Sequence, residues 1–454
     1  VCGLIGGQIA TVDLSTLAHR GPDHQATLVC GPYLLGHTRL AVQDLTDDSN
    51  QPWDTGAVVV TYNGELWQPH KLRHALGGDW RTTGDTEVVA TALHRYGTDA
   101  LPMLHGMFAL AWTDGHTLWL ARDHYGEVPL HWGRTRTNQI VYASEIKALL
   151  AHGVYPHTIG WVEPGTYLSI TGSDVVSHTW AEPLSERDHP DGDLAALLAD
   201  GAVDRMTSDA PVACLVSGGL DSSAILALLV KNGYQPTCYT AFYNKRTADL
   251  KWSRIVCDHL GLPLIEVPIP EPTRATIGDA IAATEMVYKA QIEIALGCLP
   301  LADAMRRDGV KVVLSGEGSD ELFGSYGWGW HGIQRSGWFG YRSEMFTRQH
   351  KKNFARTNKV FMAHGIEPRL PFLHDPLVRH ILGMSRDQIT QGGAHPKAVL
   401  ATALDDLLPE GLGWRPKHAF QTGTKITKAT ANLIADPTRY YRAEHLRMFG
   451  KVPV

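Results

Sequence analysis

Apolar residues in the first part of the chain come in short runs separated by turns, at 33–40, 57–62, 108–112, 117–121, 139–143 and 165–170. Such runs read as strands. Between them, residues 85–96 place Val88, Val89, Ala92 and Leu93 at helical spacing. Strands dominate, which predicts layered sheets with flanking helices. The stretch 181–193 is polar and turn-rich and reads as a linker. Beyond it the rhythm changes. A helical pattern at 194–206 precedes a buried strand at 212–216, and a helix at 222–231 is closed by Asn232-Gly233. Strands follow at 237–243, 264–267 and 310–314, with a helix ending at Leu260. Short apolar runs alternating with helices predict a parallel sheet covered on both faces. From about Ala355 the pattern is mainly helical, and no internal repeat interrupts the chain.

The 454 residues exceed the usual size of one core, so two domains are expected, 1–180 and 193–454. A net charge of −6 gives no electrostatic footprint for nucleic acid, and no basic run suggests a membrane surface. No apolar stretch approaches the roughly 18 residues of a membrane span, and the chain start lacks the pattern of a secretory signal. A cytoplasmic protein is expected. The six cysteines are widely spread without a C-x-x-C, which argues against a disulfide framework. The 23 histidines form no H-E-x-x-H and no Cys/His ligand spacing.

Two segments carry chemistry. Cys2, followed by Gly3-Leu4-Ile5-Gly6-Gly7, is a candidate nucleophile at a chain start. Leu215-Val216-Ser217-Gly218-Gly219-Leu220-Asp221-Ser222-Ser223 joins a strand to a helix. Its glycines let the backbone approach a ligand, and its hydroxyls and helix-start N–H groups suit phosphate oxygens. It is not a Walker A loop. A second cluster, Ser315-Gly316-Glu317-Gly318-Ser319-Asp320-Glu321, follows another strand. Its acids suit Mg²⁺ and general-base work, and Asp221 and Asp320 together are the candidate Mg²⁺ ligands. Two sites follow, one releasing a nucleophile and one activating its acceptor.

These segments occur in order with Arg20-Gly21-Pro22-Asp23, Asn63-Gly64-Glu65, Gly84-Asp85-Thr86-Glu87, Glu367-Pro368-Arg369-Leu370-Pro371-Phe372-Leu373 and Arg415-Pro416-Lys417. Over nearly its whole length the chain resembles the glutamine-hydrolysing asparagine synthetase family. The resemblance implies an α+β N-terminal-nucleophile (Ntn) hydrolase of layered sheets (αββα), joined to an α/β parallel-sheet ATP-pyrophosphatase (PP-loop) domain with a helical C-terminal part. It implies that ATP adenylates a carboxylate, pyrophosphate leaves, and ammonia displaces AMP. Ser217, Gly218, Gly219, Asp221 and Ser222 would bind pyrophosphate, and Leu215, Ser315 and Gly316 would line the adenosine site. Glu317 would deprotonate the attacking ammonia, and Lys417 would neutralise charge in the adenylation transition state. The implied partners are small molecules (glutamine, ATP and a carboxylate acceptor), with no nucleic acid, no membrane, and a homodimer left open.

An N-terminal cysteine can use its own α-amino group as base, since the amine and the thiol titrate close together. By resemblance, Asn63 and the Gly64 N–H are oxyanion donors. Arg39 would clamp the glutamine α-carboxylate, while Glu65 and Asp85 would hold its α-ammonium. Taken singly, Asn63-Gly64 reads as a turn, Asp85 as a helix N-cap and Arg39 as a strand-edge charge. The mechanism requires a free amine on Cys2; we expect Val1 to mark a start codon other than ATG, read as methionine and removed. A sealed ammonia passage between the domains is implied by the resemblance alone.

One segment departs from the family. Where an arginine that helps bind aspartate is expected, the chain reads Lys289-Ala290-Gln291-Ile292-Glu293-Ile294-Ala295-Leu296-Gly297, with Glu293 at the arginine position. An acid there would repel a substrate carboxylate. The aromatic loop 325–332, with Tyr326, and the nearby Asp320 are further candidates for the acceptor wall. The acceptor is therefore expected to differ from free aspartate, and to present an amine to Glu293. Alternatives are an ordinary asparagine synthetase, an intramolecular amide-forming relative such as a β-lactam synthetase, and a non-catalytic scaffold. Intact Cys2, Arg39, Asn63 and Asp85 favour external ammonia over the second; Asp221, Glu317, Asp320 and Lys417 together oppose the third.

Overall fold

The computed structural model describes residues 2–186, 192–325, 330–415, 420 and 424–453. Two antiparallel sheets of six strands come first. Their strands in chain order are β1 (Gly3–Gly7), β2 (His24–Cys30), β3 (Tyr33–Arg39), β4 (Trp53–Asp54), β5 (Val59–Leu66) and β6 (Gly106–Thr113). They continue with β7 (Leu118–Arg122), β8 (His131–Arg134), β9 (Ile140–Ala143), β10 (Gly160–Trp161), β11 (Thr166–Thr171) and β12 (Asp174–Thr179). One sheet runs β10-β8-β9-β1-β3-β2, the other β12-β11-β7-β6-β5-β4. Alternation along each strand sorts side chains to the two faces. In β6, Met107, Ala109 and Ala111 face the core shared between the sheets, while Phe108, Leu110 and Trp112 join the cluster containing Val88, Val89 and Leu93 of the helix Thr86–Tyr96. In β9, Ile140 and Tyr142 enter the shared core, and Val141 and Ala143 pack on the far side with Ile146 and Leu149. The result is a helix–sheet–sheet–helix stack, the αββα arrangement.

The predicted strand at 57–62 runs on to Leu66. Asn63 and Gly64 are therefore not a turn: they lie inside β5, opposite Ala109 and Phe108 of β6. β2 and β12, which the apolar pattern does not predict, are outer strands of their sheets, and alternate residues of β2 are half-exposed. A strand with one wet face and few neighbours needs no continuous apolar run.

The second sheet system is parallel, with β13 (Val212–Leu215), β14 (Thr237–Phe242), β15 (Leu264–Pro268), β16 (Val312–Leu314) and β17 (Glu367–Arg369) in the order β15-β14-β13-β16-β17. Cys214 packs with Ala224 and Leu228 of the helix Leu220–Lys231, whereas Ala213 packs with Ile292 and Ala295 of the helix Lys289–Arg307. Burial on both faces explains the uninterrupted apolar strands. The strand order reverses between β13 and β16, so the loops after those two strands diverge at the carboxyl edge of the sheet, the place where α/β sheets bind ligands. The C-terminal part is helical, as predicted, except for β17. Pro368 is tolerated there because β17 is an edge strand.

Buried charges fasten the sheet sandwich to the parallel-sheet part. Arg20 bonds Glu145 at 2.8 Å and Asn358 Oδ1 at 2.9 Å. Glu285 pairs with Lys359 at 2.6 Å and accepts the backbone N–H groups of Ile146 and Lys147 at 2.9 and 2.7 Å. Among the described residues no helix is long and apolar enough to cross a membrane.

Two candidate active sites

Cys2 lies just before β1, at the floor of a pocket lined by Arg39, Gln43, Tyr62, Gly64, Glu65 and Asp85. Its nitrogen donates to Asn63 Oδ1 at 2.5 Å, and its carbonyl accepts from Arg20 Nε at 2.9 Å. The Asn63 side chain is steadied in turn by Ser144, whose hydroxyl accepts from Asn63 Nδ2 at 3.3 Å and from the Leu4 N–H at 2.9 Å. Asn63 thus presents its oxygen to the Cys2 nitrogen, while its amide nitrogen faces Ser144.

Two acids of this pocket, Asp85 and Glu65, are buried. Asp85 stands at the N-cap of its helix but makes no cap bond. Its Oδ2 instead accepts from Tyr62 Oη and Leu66 N, both at 3.0 Å. Burial raises the Asp85 carboxyl above the ordinary range. Burial also pushes Glu65 up to about 8, against the opposing pull of Arg369. Glu65 accepts from Gln43 Nε2 and lies 3.0 Å from Arg369 Nη2. Arg39 holds the wall of the pocket: Nη1 donates to Thr46 O at 2.6 Å and Asn50 Oδ1 at 2.9 Å, and Nη2 to Asp44 O.

The second candidate site lies at the loops that follow β13 and β16. Ser217, Gly218 and Gly219 lead into the helix Leu220–Lys231, leaving its first N–H groups at the loop. Gly218 has φ of 66°, and an added Cβ would lie 2.5 Å from Asp249 O. Only glycine fits. Gly316 lets the second loop approach the first, since a Cβ there would sit 3.1 Å from Ser222 N. Ser217 and Ser222 hydroxyls are 3.2 Å apart, and Ser315 N donates to Arg369 O at 3.0 Å. Leu215 ends β13 beside them.

The acids of the two loops converge on a cation that the sequence reading did not single out. Lys397 Nζ lies 2.5 Å from Asp221 Oδ1 and 2.7 Å from Asp320 Oδ1, and donates to Ser319 Oγ at 2.9 Å. In sequence Lys397 closes the glycine-rich stretch 392–397 and passes for a loop cation. Asp221 and Asp320 bring hard carboxylate donors of the kind Mg²⁺ takes to one place, at which Lys397 Nζ sits here. Among the described residues no cluster of three or more His, Cys, Asp or Glu side chains forms.

Glu317 pairs with Arg356, a nearly fully buried side chain of the helix Asn353–Met362 that also bonds Gln291 Oε1 at 3.1 Å. Glu293 does not meet the expectation of a carboxylate turned to an acceptor amine. Its side chain is buried, bonded to Lys289 at 2.6 Å, Thr430 at 2.8 Å and Thr427 at 2.9 Å, and so ties the helix Ile426–Leu433 to the helix Lys289–Arg307. These three partners engage both carboxylate oxygens of Glu293. Tyr326 and Lys417 lie outside the described residues. Arg415, two positions before Lys417, bonds Gly218 O and Asp249 Oδ1.

The sequence model of the asparagine synthase family matches residues 193–351 and 342–449. The chain belongs to the asparagine synthase family. A glutamine amidotransferase domain matches residues 2–177. Asparagine synthetase B [glutamine-hydrolyzing] of Escherichia coli (strain K12) is 29% identical over 439 residues, 91% of this chain and 78% of that protein. Asparagine synthetase [glutamine-hydrolyzing] 3 of Arabidopsis thaliana is 29% identical over 453 residues, 90% of this chain and 74% of its own length. The solved structure of glutamine phosphoribosylpyrophosphate amidotransferase from B. subtilis is 17% identical, with a TM-score of 0.36 over 71% of this chain and 77% of that one. As a member of the asparagine synthase family with an amidotransferase domain, the chain is an amide ligase of the glutamine-hydrolysing type.

Proposed function

We propose that the chain hydrolyses glutamine in the Cys2 pocket and uses the ammonia to amidate an acyl-adenylate formed at the loops after β13 and β16, with residues 1–180 as the glutaminase and 193–454 as the synthetase. The observation that supports this most directly is the placement of Cys2. Its carbonyl is bonded to Arg20, which also grips Asn358 of the synthetase half, so the nucleophile sits at the domain junction.

With Val1 removed, the Cys2 amine, steadied by Asn63 Oδ1, takes the thiol proton, and the thiolate attacks the glutamine side-chain amide. The oxyanion is stabilised by the Gly64 N–H and by the Asn63 amide if that side chain turns from Ser144. The Cys2 ammonium returns its proton to the departing nitrogen, ammonia leaves, a thioester remains, and water releases glutamate. Glu65 and Asp85 hold the glutamine ammonium, and Arg39 takes its carboxylate.

At those loops, Ser217, Gly219 and Ser222 bind ATP phosphates, and Lys397 supplies positive charge between Asp221 and Asp320. Bound Mg²⁺ would neutralise phosphate charge and orient the leaving pyrophosphate; Asp221 and Asp320 would hold it. The acceptor carboxylate attacks the α-phosphorus, pyrophosphate leaves, and Lys417 offsets the charge that develops. Ammonia then adds to the acyl carbon, loses a proton to Glu317, and AMP departs, leaving a carboxamide. Arg356 holds Glu317 in place for that step.

For the acceptor we infer a carboxylate other than free aspartate, because 289–297 supplies no arginine and its one basic side chain, Lys289, pairs with Glu293. The second reading, aspartate itself, is favoured by Arg356, which brings a guanidinium to Glu317 from another helix, and by the names of the relatives above. The test is pyrophosphate release across a panel of carboxylic acids with glutamine or ammonium, repeated with Cys2→Ala. That variant keeps ammonium use and loses glutamine use. Loss of both would sink the division of labour, and aspartate turnover at the rate of the best acid would establish the second reading.

A further inference from the structure

β17 is three residues long, yet its last residue touches both candidate sites. The Arg369 carbonyl accepts the Ser315 N–H at 3.0 Å, where β16 turns into the loop carrying Ser315, Gly316 and Glu317. Its side chain leaves the parallel sheet and enters the other domain, bringing Nη2 to 3.0 Å from Glu65 Oε2. Both side chains are almost wholly enclosed, 0% and 3% exposed.

The guanidinium is fixed on its other edges. Nε donates to Glu367 Oε1 at 2.7 Å, and Nη1 to the carbonyls of Arg205 and Thr207 at 2.8 and 2.6 Å. Its carbon lies 5.4 Å from the centre of the Trp67 ring. Nη2 is the exception: although close to Glu65, it donates no well-aligned hydrogen bond. A buried, clamped arginine with one unsatisfied edge turned to a ligand-binding acid is poised to respond to what that acid binds.

We propose that Arg369 is a positioning residue that couples the glutamine pocket to the nucleotide loop, so that glutamine and ATP tighten each other's binding. This rests on the reading of Glu65 as the seat of the glutamine ammonium. Burial and the neighbouring Asp85 disfavour the charged form of the free Glu65 carboxyl, while Arg369, the chain's terminal ammonium and Gln43 favour it. An arriving ammonium favours the carboxylate form. Nη2 then gains a charge-assisted bond, and β17, already fixed through the same guanidinium, holds Ser315 N–H more firmly. Linkage makes the effect reciprocal: the factor by which glutamine raises ATP affinity equals the factor by which ATP raises glutamine affinity.

The test uses the full chain carrying Cys2→Ala, which binds glutamine without consuming it. Calorimetric titration with ATP, with and without saturating glutamine, and the converse titration, give two coupling factors. We expect them to agree and to be on the order of tenfold. Adding Arg369→Lys brings the factor close to one, with the far-UV circular dichroism of the parent retained. Because that buried substitution endangers folding, Glu65→Asp is the second variant. It leaves every anchor of Arg369 in place, shortens the acid by one carbon, and also abolishes coupling while glutamine still binds more weakly. Coupling of one in Cys2→Ala itself, or undiminished coupling in a folded variant of either kind, would overturn the proposal. Failure of Cys2→Ala to bind glutamine at all, or binding insensitive to Asp85→Asn, would instead overturn the reading of the pocket.

Discussion

Glutamine binding to this enzyme should expel a proton. Glu65 is enclosed by Tyr62, Asp85 and Arg369, and burial pushes its carboxyl from 4.5 up to about 8. At pH 7 such a group is roughly nine-tenths protonated, so an ammonium that requires the anion binds about tenfold below its intrinsic affinity, about 1.4 kcal/mol. Raising the pH from 6 to 8 should tighten glutamine binding about 50-fold, from the change in the ionised fraction alone. Calorimetry on Cys2→Ala at pH 6, 7 and 8, in buffers of different ionisation enthalpy, reads both the affinity and the proton. About one proton should be released per glutamine at pH 7, and Glu65→Gln should remove the dependence. A flat affinity profile with no buffer dependence would refute the argument, because Glu65 would then be ionised before glutamine arrives. The same carboxyl has a stability signature. Its folded pKa lies above its unfolded value, so the folded state binds the extra proton between about 4.5 and 8. Its contribution to stability is present at low pH and lost as pH rises through that window.

Removing Lys397 as Lys397→Met leaves Asp221 and Asp320 facing a polyphosphate without their shared cation, and ATP–pyrophosphate exchange should fall on the order of 10²–10³-fold while glutaminase activity of the free enzyme persists. Glu285→Gln strands the buried Lys359 and weakens two backbone bonds across the domain junction; denaturant titration should show a loss of about 3–5 kcal/mol. Gly218→Ala pays about 1–2 kcal/mol for a left-handed backbone and adds a clash with Asp249 O, so nucleotide binding should weaken far more than global stability.

The parallel sheet was legible because strands buried on both faces write themselves as uninterrupted apolar runs. The outer strands β2 and β12 were not, since one face of each meets solvent. The loop at Ser217 could be recognised because all its working parts are contiguous. Asn63-Gly64 misleads when taken alone, since a pair that favours turns is held in β5 by its partner strand and by Cys2. Lys397, Arg356 and Arg369 went unassigned for a different reason. Each acts on residues far away in the chain, Lys397 on Asp221 and Asp320, Arg356 on Glu317, and Arg369 on Glu65, and nothing local marks a long cationic side chain as buried. The partners of Glu293 were hidden in the same way, since the hydroxyls of Thr427 and Thr430 reach it from a later helix.

The ionic seam between the halves bears on how such enzymes can be rebuilt. Glu285 caps two amides of the opposite domain, Lys359 and Asn358 reach across to His131 and Arg20, and Arg369 enters the opposite pocket. A chimera cut at the 181–193 segment would put these side chains against a foreign surface with no matching partners. Transplanting this glutaminase onto another ligase therefore means carrying over that patch of the recipient as well.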